Sequence, residues 1–274
     1  MLFRKPKIGI AFGGGGARGF THLGAIKAFE EFGLKFDYVA GTSVGSLVGA
    51  FYSAGYTYKE MYEICKTIKE KDIRRNIIPF TPSKPDGIGE IITKNLGDIN
   101  IEDLKIPLSI IAVDIKTTKE VCFSKGNLAK AVMGSCAVPL VFQPVVYDDK
   151  ILCDGGLQNT IPADIPRHYG CDYVVAVDVN KSRTYGTEST KLLDVLSCSI
   201  RILMKSNAVR GYVTADVVIA PETKRFKSTK TEGMDDMIEE GYKTTIDMMP
   251  KIMELFKRKT KRKKLENYDI QYID

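Results

Sequence analysis

Gly41-Thr42-Ser43-Val44-Gly45 stands between the apolar run Tyr38-Val39-Ala40 and a helix-like run over 47–54. A strand that turns at once into a helix around G-x-S-x-G predicts a nucleophile elbow, in which only glycines fit beside an exposed serine. The helix that follows would aim free N–H groups and a positive dipole end at charge developing near Ser43. The same residues also read as a Gly/Ser turn capping a helix, since Ser and Thr are common N-caps. The rest of the chain has to separate the two readings.

Upstream, Lys7-Ile8-Gly9-Ile10-Ala11-Phe12 is a short apolar strand. It runs into Gly13-Gly14-Gly15-Gly16-Ala17-Arg18-Gly19 and then a helical pattern over 22–32, with Leu23, Ile26, Ala28 and Phe29 at helix spacing. A glycine loop between strand and helix is an anion cradle, because successive N–H groups converge where no Cβ intrudes. Gly14-x-Gly16-x-x-Gly19 also matches the dinucleotide pattern. That fold wants an acid at the carboxyl end of the second strand, where this chain has Gly41-Thr42-Ser43; Asp37 lies at the strand's start. Carboxyl ends of neighbouring parallel strands share one rim, so the glycine loop and Ser43 are expected to meet as oxyanion hole and nucleophile.

Downstream, 59–71 is amphipathic, 74–86 is a loop with three prolines, and 87–96 is helical. Strands are expected over 108–114 and 121–123, and a small-residue helix over 128–136. Asp114 closes its strand and reads as a turn cap. A hairpin over 145–153 with an Asp148-Asp149 turn delivers Asp154-Gly155-Gly156, a carboxylate whose two glycines let a tight turn carry it to another loop. A short helix over 163–169, a strand over 173–178, a long helix over 191–212 and a last strand over 217–220 complete the pattern. Strands alternating with helices argue one α/β domain over 1–256 with a mostly parallel sheet.

Composition limits the function classes. The six cysteines are widely spaced and form no C-x-x-C pair, which predicts reduced thiols in a cytoplasmic protein rather than a disulfide or zinc framework; no metal is expected. The amino end lacks a signal-peptide pattern, and no apolar run approaches the roughly 18 residues of a spanning helix. Of the +6 net charge, the run 257–264 carries seven Lys/Arg and no acid, so without it the charge is −1. The apolar residues 246–256 before that run either pack on the sheet or join it as an amphipathic helix on anionic lipid, giving a peripheral position at the inner membrane surface. A basic tail over 257–274 without interleaved aromatics in the run offers no base contacts, so no nucleic-acid partner is expected.

Taken in order, Gly14-x-Gly16-Ala17-Arg18-Gly19, Gly41-Thr42-Ser43-Val44-Gly45 and Asp154-Gly155-Gly156 resemble the bacterial patatin-like phospholipases, over roughly residues 7–220. The resemblance implies a three-layer α/β/α fold and hydrolysis of lipid acyl esters by a Ser–Asp dyad without a cofactor. By motif match Ser43 is the implied nucleophile, Asp154 the implied base, and the backbone at Gly14, Gly15 and Gly16 the implied oxyanion hole, with Arg18, Gly19, Gly41, Gly45, Gly155 and Gly156 supporting. A non-catalytic regulatory or scaffold protein of the same fold, and a nucleotide-binding protein, are the alternatives. The residues point the same way independently: of the two histidines, His22 opens the helix behind the glycine loop and His168 falls within an expected helix, so neither suits a triad.

Overall fold

The architecture comes from a computed structural model, which describes residues 5–68, 70–73, 81–181, 186–226, 232–257 and 270–273. Most of the expected 74–86 loop and all of the basic run beyond Lys257 lie outside the described residues. In chain order the first half runs β1 (Ile8–Phe12), α1 (Phe20–Glu31), β2 (Tyr38–Thr42), α2 (Val44–Ala54), α3 (Tyr58–Thr67), α4 (Glu70–Ile73), α5 (Asp86–Leu96), β3 (Leu108–Asp114) and β4 (Lys119–Phe123). There follow α6 (Leu128–Ser135), β5 (Val145–Tyr147), β6 (Lys150–Asp154), α7 (Asp164–His168), β7 (Tyr173–Val177), α8 (Leu192–Ser206), α9 (Val209–Thr214), β8 (Val217–Ile219), α10 (Met234–Lys257) and β9 (Ile270–Ile273).

Strands β3, β2, β1, β7 and β8 form a parallel centre, and β6 and β4 join β3 antiparallel. Because side chains alternate along a strand, each central strand feeds two cores. Ile10, Phe12, Val39, Ile110 and Val177 enter the larger core, covered by α1, α2, α5, α6 and α10. Ala11, Ala40, Ile111 and Ala176 enter the smaller one, with Ile165 of α7 and Ala208 beside α9. The result is the expected α/β/α arrangement of three layers.

The register of β3 decides where the functional residues go. Its Leu108–Ile111 half pairs with β2, ending at Thr42↔Ile111, and its Ala112–Asp114 half pairs with β6, beginning at Ala112↔Asp154. Since β4 pairs with the opposite edge over Ile110–Asp114, spanning the junction of the two halves, β2 and β6 share one edge of β3. Thr42 and Asp154, 112 positions apart in the chain, therefore stand opposite consecutive residues of one strand.

Two expectations need adjustment, the single 191–212 helix and the free tail, and one choice between readings, that of the 246–256 stripe, is decided in favour of packing. The expected 191–212 helix is two helices, interrupted at Asn207 and Ala208, where the Asn207 side chain donates to Leu157 O (2.6 Å). The apolar stripe 246–256 belongs to the core, with Met249, Ile252 and Leu255 buried and α10 continuous through Pro250. The segment beyond it does not end as a free tail: β9 pairs parallel with β4, and Tyr272 stacks on His168 at 4.1 Å. Asp114 is the turn cap the sequence suggests, accepting from Lys116 N, Thr117 Oγ1 and Ile151 N. Among the described residues no helix is long and apolar enough to cross a membrane, and no group of His, Cys, Asp or Glu is arranged to hold a metal ion.

Candidate active site

At the end of β2 the chain reverses through Ser43, which has φ 55° and ψ −129° and is 6% exposed. A positive φ on a non-glycine residue costs of order 1–3 kcal/mol and persists only where the surroundings enforce it. The surroundings here are explicit. Ser43 N–H donates to Ser135 Oγ (2.8 Å), which in turn donates to Ile111 O (2.5 Å), while Ser43 O accepts from Ser46 N (2.8 Å) and Ser46 Oγ (2.6 Å). Helix α2 begins at the next residue, so its positive end lies at the serine.

The elbow glycines are there for close approach. A Cβ on Gly45 would stand 2.1 Å from Phe12 O, and one on Gly41 2.5 Å from Gly45 O. Both obstacles are backbone and cannot rotate away. Gly45→Ala is therefore expected to lose more than about 3 kcal/mol of stability, measured as a shift in the denaturant midpoint; a neutral substitution would show that the elbow is looser than this packing.

The glycine loop leaves β1 with Gly13 N–H donating to Val177 O and Gly14 N–H to Thr160 O, both at 3.0 Å. The Gly14 N–H is thus already engaged, which narrows the expected three-glycine cradle. Gly15 and Gly16 N–H make no backbone hydrogen bond among the described residues, and Gly16 takes φ +60° to turn the loop. Gly14 itself packs on the elbow, its would-be Cβ 3.2 Å from Ser43 Cβ. Gly19 presses against Val44, and Arg18 is buried. Beneath the loop His22, fully buried, bonds Gly13 O through Nε2 at 2.9 Å; burial holds its pKa down to about 4 despite that bond, so its imidazole is neutral.

Asp154 arrives from β6, with its N–H donating to Ala137 O. It caps the next turn, where Oδ1 accepts from Gly156 N at 2.8 Å, while Gly155 lies against Ile111 O too closely for any Cβ. Oδ2 is buried and accepts no hydrogen bond. Burial drives the carboxyl up to about 6, opposed by the nearby Ser43 hydroxyl and the Gly156 N–H. The arrangement joins a serine, a dry carboxylate with one bare oxygen, and two unpaired backbone donors.

From this point an apolar cavity of about 510 Å³ opens, walled by Leu47, Phe51, Met61, Ile91, Phe142 and Met204 among others. That volume suits a small lipid or an acyl chain. Its rim is more polar and includes Asn180, Lys181, Arg201 and Lys205.

Supporting residues outside the three motifs complete the site; of them, only Asn159, in the Asn159-x-x-Pro162 that follows the acid, stands out in the sequence. Ser135 and Cys136 end α6 beside Ser43, and Thr42 Oγ1 donates to Asn159 O (2.8 Å). Asn159 Nδ2 donates to Glu120 and Asp164 (3.0 Å each), and Arg210 forms ion pairs with both acids. This buried cluster clamps the segment after Asp154 to the strand before Ser43. His168 takes no part in it; it is exposed, and its ring stacks on Tyr272.

The sequence matches the patatin-like phospholipase family over residues 10–167. An uncharacterised NTE family protein of Mycobacterium bovis is 32% identical over 65% of this chain and 50% of its own length. The mouse patatin-like phospholipase domain-containing protein 6 is 33% identical over 65% of this chain and 14% of its own. The chain thus spans half or less of these relatives. Among solved structures, VipD from Legionella pneumophila superposes with a TM-score of 0.64 at 15% identity, over 90% of this chain and 67% of that one. Human GIVD cytosolic phospholipase A2, solved with methyl gamma-linolenyl fluorophosphonate, gives 0.50 at 12% identity over 92% of this chain and 59% of that one. With the family match covering more than half of its residues, the chain belongs to the patatin-like phospholipases.

Proposed function

We propose that the chain is a serine hydrolase of lipid acyl esters, working through Ser43 and Asp154. The observation that carries the reading is the strained Ser43, which lines the apolar cavity and whose hydroxyl acts on the buried Asp154 carboxyl behind it. Family membership supports it, as does the naming of relatives as lysophospholipase and esterase.

In this mechanism Ser43 Oγ attacks the ester carbonyl as its proton passes to Asp154 Oδ2. The oxyanion is held by Gly15 and Gly16 N–H at the positive end of α2. The intermediate collapses, the leaving alcohol takes the proton from Asp154, and the acyl group stays on Ser43. Asp154 then deprotonates a water that attacks the acyl carbonyl, releasing the fatty acid and returning the proton to Ser43. A carboxylate raised toward neutrality is a better base than a solvated one, which is what burial of Asp154 supplies.

A fluorophosphonate probe followed by peptide mass spectrometry tests the assignment. Modification is expected at Ser43, in about one-to-one stoichiometry with the protein. Labelling confined to another residue would sink the hydrolase reading.

A peripheral membrane position follows from the same reading, through the basic run 257–264. Each Lys or Arg near an acidic surface contributes about 1 kcal/mol, so the share of binding to anionic vesicles that this run supplies is expected to fall steeply with salt. Cutting the chain after Phe256 is a poor test, since it also removes β9 from the sheet. Replacing the seven basic residues with glutamine in the full chain is the cleaner one. Unchanged binding at low salt would remove the run from membrane attraction.

A further inference from the structure

Helix α8 departs from how a surface helix is built. Such a helix ordinarily turns its apolar stripe inward and its polar face to water. In α8 no residue is buried. Ser197, Ile200, Arg201, Met204 and Lys205 form the face that lines the cavity. At 100° per residue the opposite face carries Leu192, Val195, Leu196, Ile202 and Leu203, which are 71, 41, 42, 48 and 60% exposed. Ser199 and Ser206 complete that face, so no charge interrupts it. Val213 of α9 is 73% exposed as well.

We propose that α8 is an interfacial helix that lies on an anionic phospholipid surface with this outer face down, so that the one helix separates the lipid from the apolar cavity. Two features select a lipid surface as occupant. The first is continuity: the helix that carries the outer apolar face also forms one wall of the apolar cavity, so a lipid layer against α8 adjoins the space an acyl chain would enter. The second is charge. Lys191 opens the helix at one edge of the apolar face, and Arg201 and Lys205 follow on the side toward the cavity with Lys181, against Asp194 in the helix and Glu188 before it. A charge-free apolar face on a helix whose remaining charges are mostly basic is the composition of helices that bind in the plane of a bilayer. A folded soluble surface seldom leaves so continuous an apolar stripe uncovered.

The proposal rests on the lipid-hydrolase reading for the identity of the surface, and its test does not depend on turnover. Vesicles of phosphatidylcholine with phosphatidylglycerol are cosedimented with the full chain and with the double variant Leu196→Gln, Leu203→Gln. These side chains line no cavity and pack in no core, and glutamine keeps the helix. At 1 M salt, where the Debye length is about 3 Å, attraction by the basic run is suppressed. Under those conditions the parent chain should remain bound and the double variant should lose at least about tenfold in partitioning. Hydrolysis of a short soluble ester should be equal in the two proteins, while hydrolysis of vesicle lipid should fall in the variant. Equal partitioning of the two would overturn the proposal. So would a dimer, seen by sedimentation equilibrium, that the double variant dissolves without change in vesicle binding, because the face would then belong to a second copy. Absence of soluble-ester turnover in the parent, with vesicle binding still lost in the variant, would instead count against the hydrolase reading alone.

Discussion

Ser43→Ala should lower kcat for ester hydrolysis by at least about a thousandfold, the scale on which a covalent nucleophile acts, and leave the protein folded. The residue is buried but small, and the interactions that shape the elbow come from its backbone: N–H to Ser135, O to Ser46. Losing Oγ removes no packing and opens no sizeable cavity. Ser43→Gly sharpens the test. At φ 55° the alanine variant keeps the backbone strain, whereas glycine relieves it, so the glycine variant should be the more stable of the two by about 1 kcal/mol. Equal melting of the two would mean that the elbow is not strained. Full activity in either would mean that the chemistry lies elsewhere.

Much of this site can be read from the chain because its parts are local. Phe12 into a glycine loop and Ala40 into Gly41-Thr42-Ser43 each declare a strand, a turn and a helix within about a dozen residues, and the parallel register then brings the two loops together. What depends on contacts between distant segments is not legible. Nothing in the glycine loop announces that Gly14 N–H is spent on Thr160 O. Nothing near residue 270 announces a strand, because its partner β4 lies some 150 positions earlier and supplies both the hydrogen bonds and the register. The 191–212 pattern is continuous in periodicity, so the break at Asn207 shows only once its side chain is bonded to Leu157 O. Periodicity also reports that α8 has an apolar face without saying which way it points. Here that face looks outward, the opposite of the usual inference.

Asp154→Asn should separate function from stability in opposite directions. Turnover should drop by at least about a hundredfold, the usual worth of a general base, whereas His168→Ala should leave it unchanged because that ring is engaged with Tyr272. The parent kcat should rise with pH through about 6, as the carboxyl gives up its proton. Stability follows the reverse course. An unfolded aspartate ionises near 3.8, while the folded one, raised by burial, holds its proton until about 6. Between these values the folded state binds more protons, so raising the pH destabilises it, and above pH 6 the dry carboxylate costs on the order of 3 kcal/mol. Asparagine can still accept from Gly156 N–H and carries no charge. The variant should therefore be the more stable protein at pH 8, with the difference shrinking to nothing near pH 4. His22 has the opposite slope: its depressed pKa of about 4 makes stability fall as pH drops from about 6.5, in overlapping range. In the parent the two trends oppose each other, which is why the difference between parent and variant, and not either curve alone, isolates Asp154. A variant less stable at pH 8 than the parent would show that the carboxylate is paired or solvated, and a carboxylate so satisfied would lack the raised basicity the mechanism requires of it.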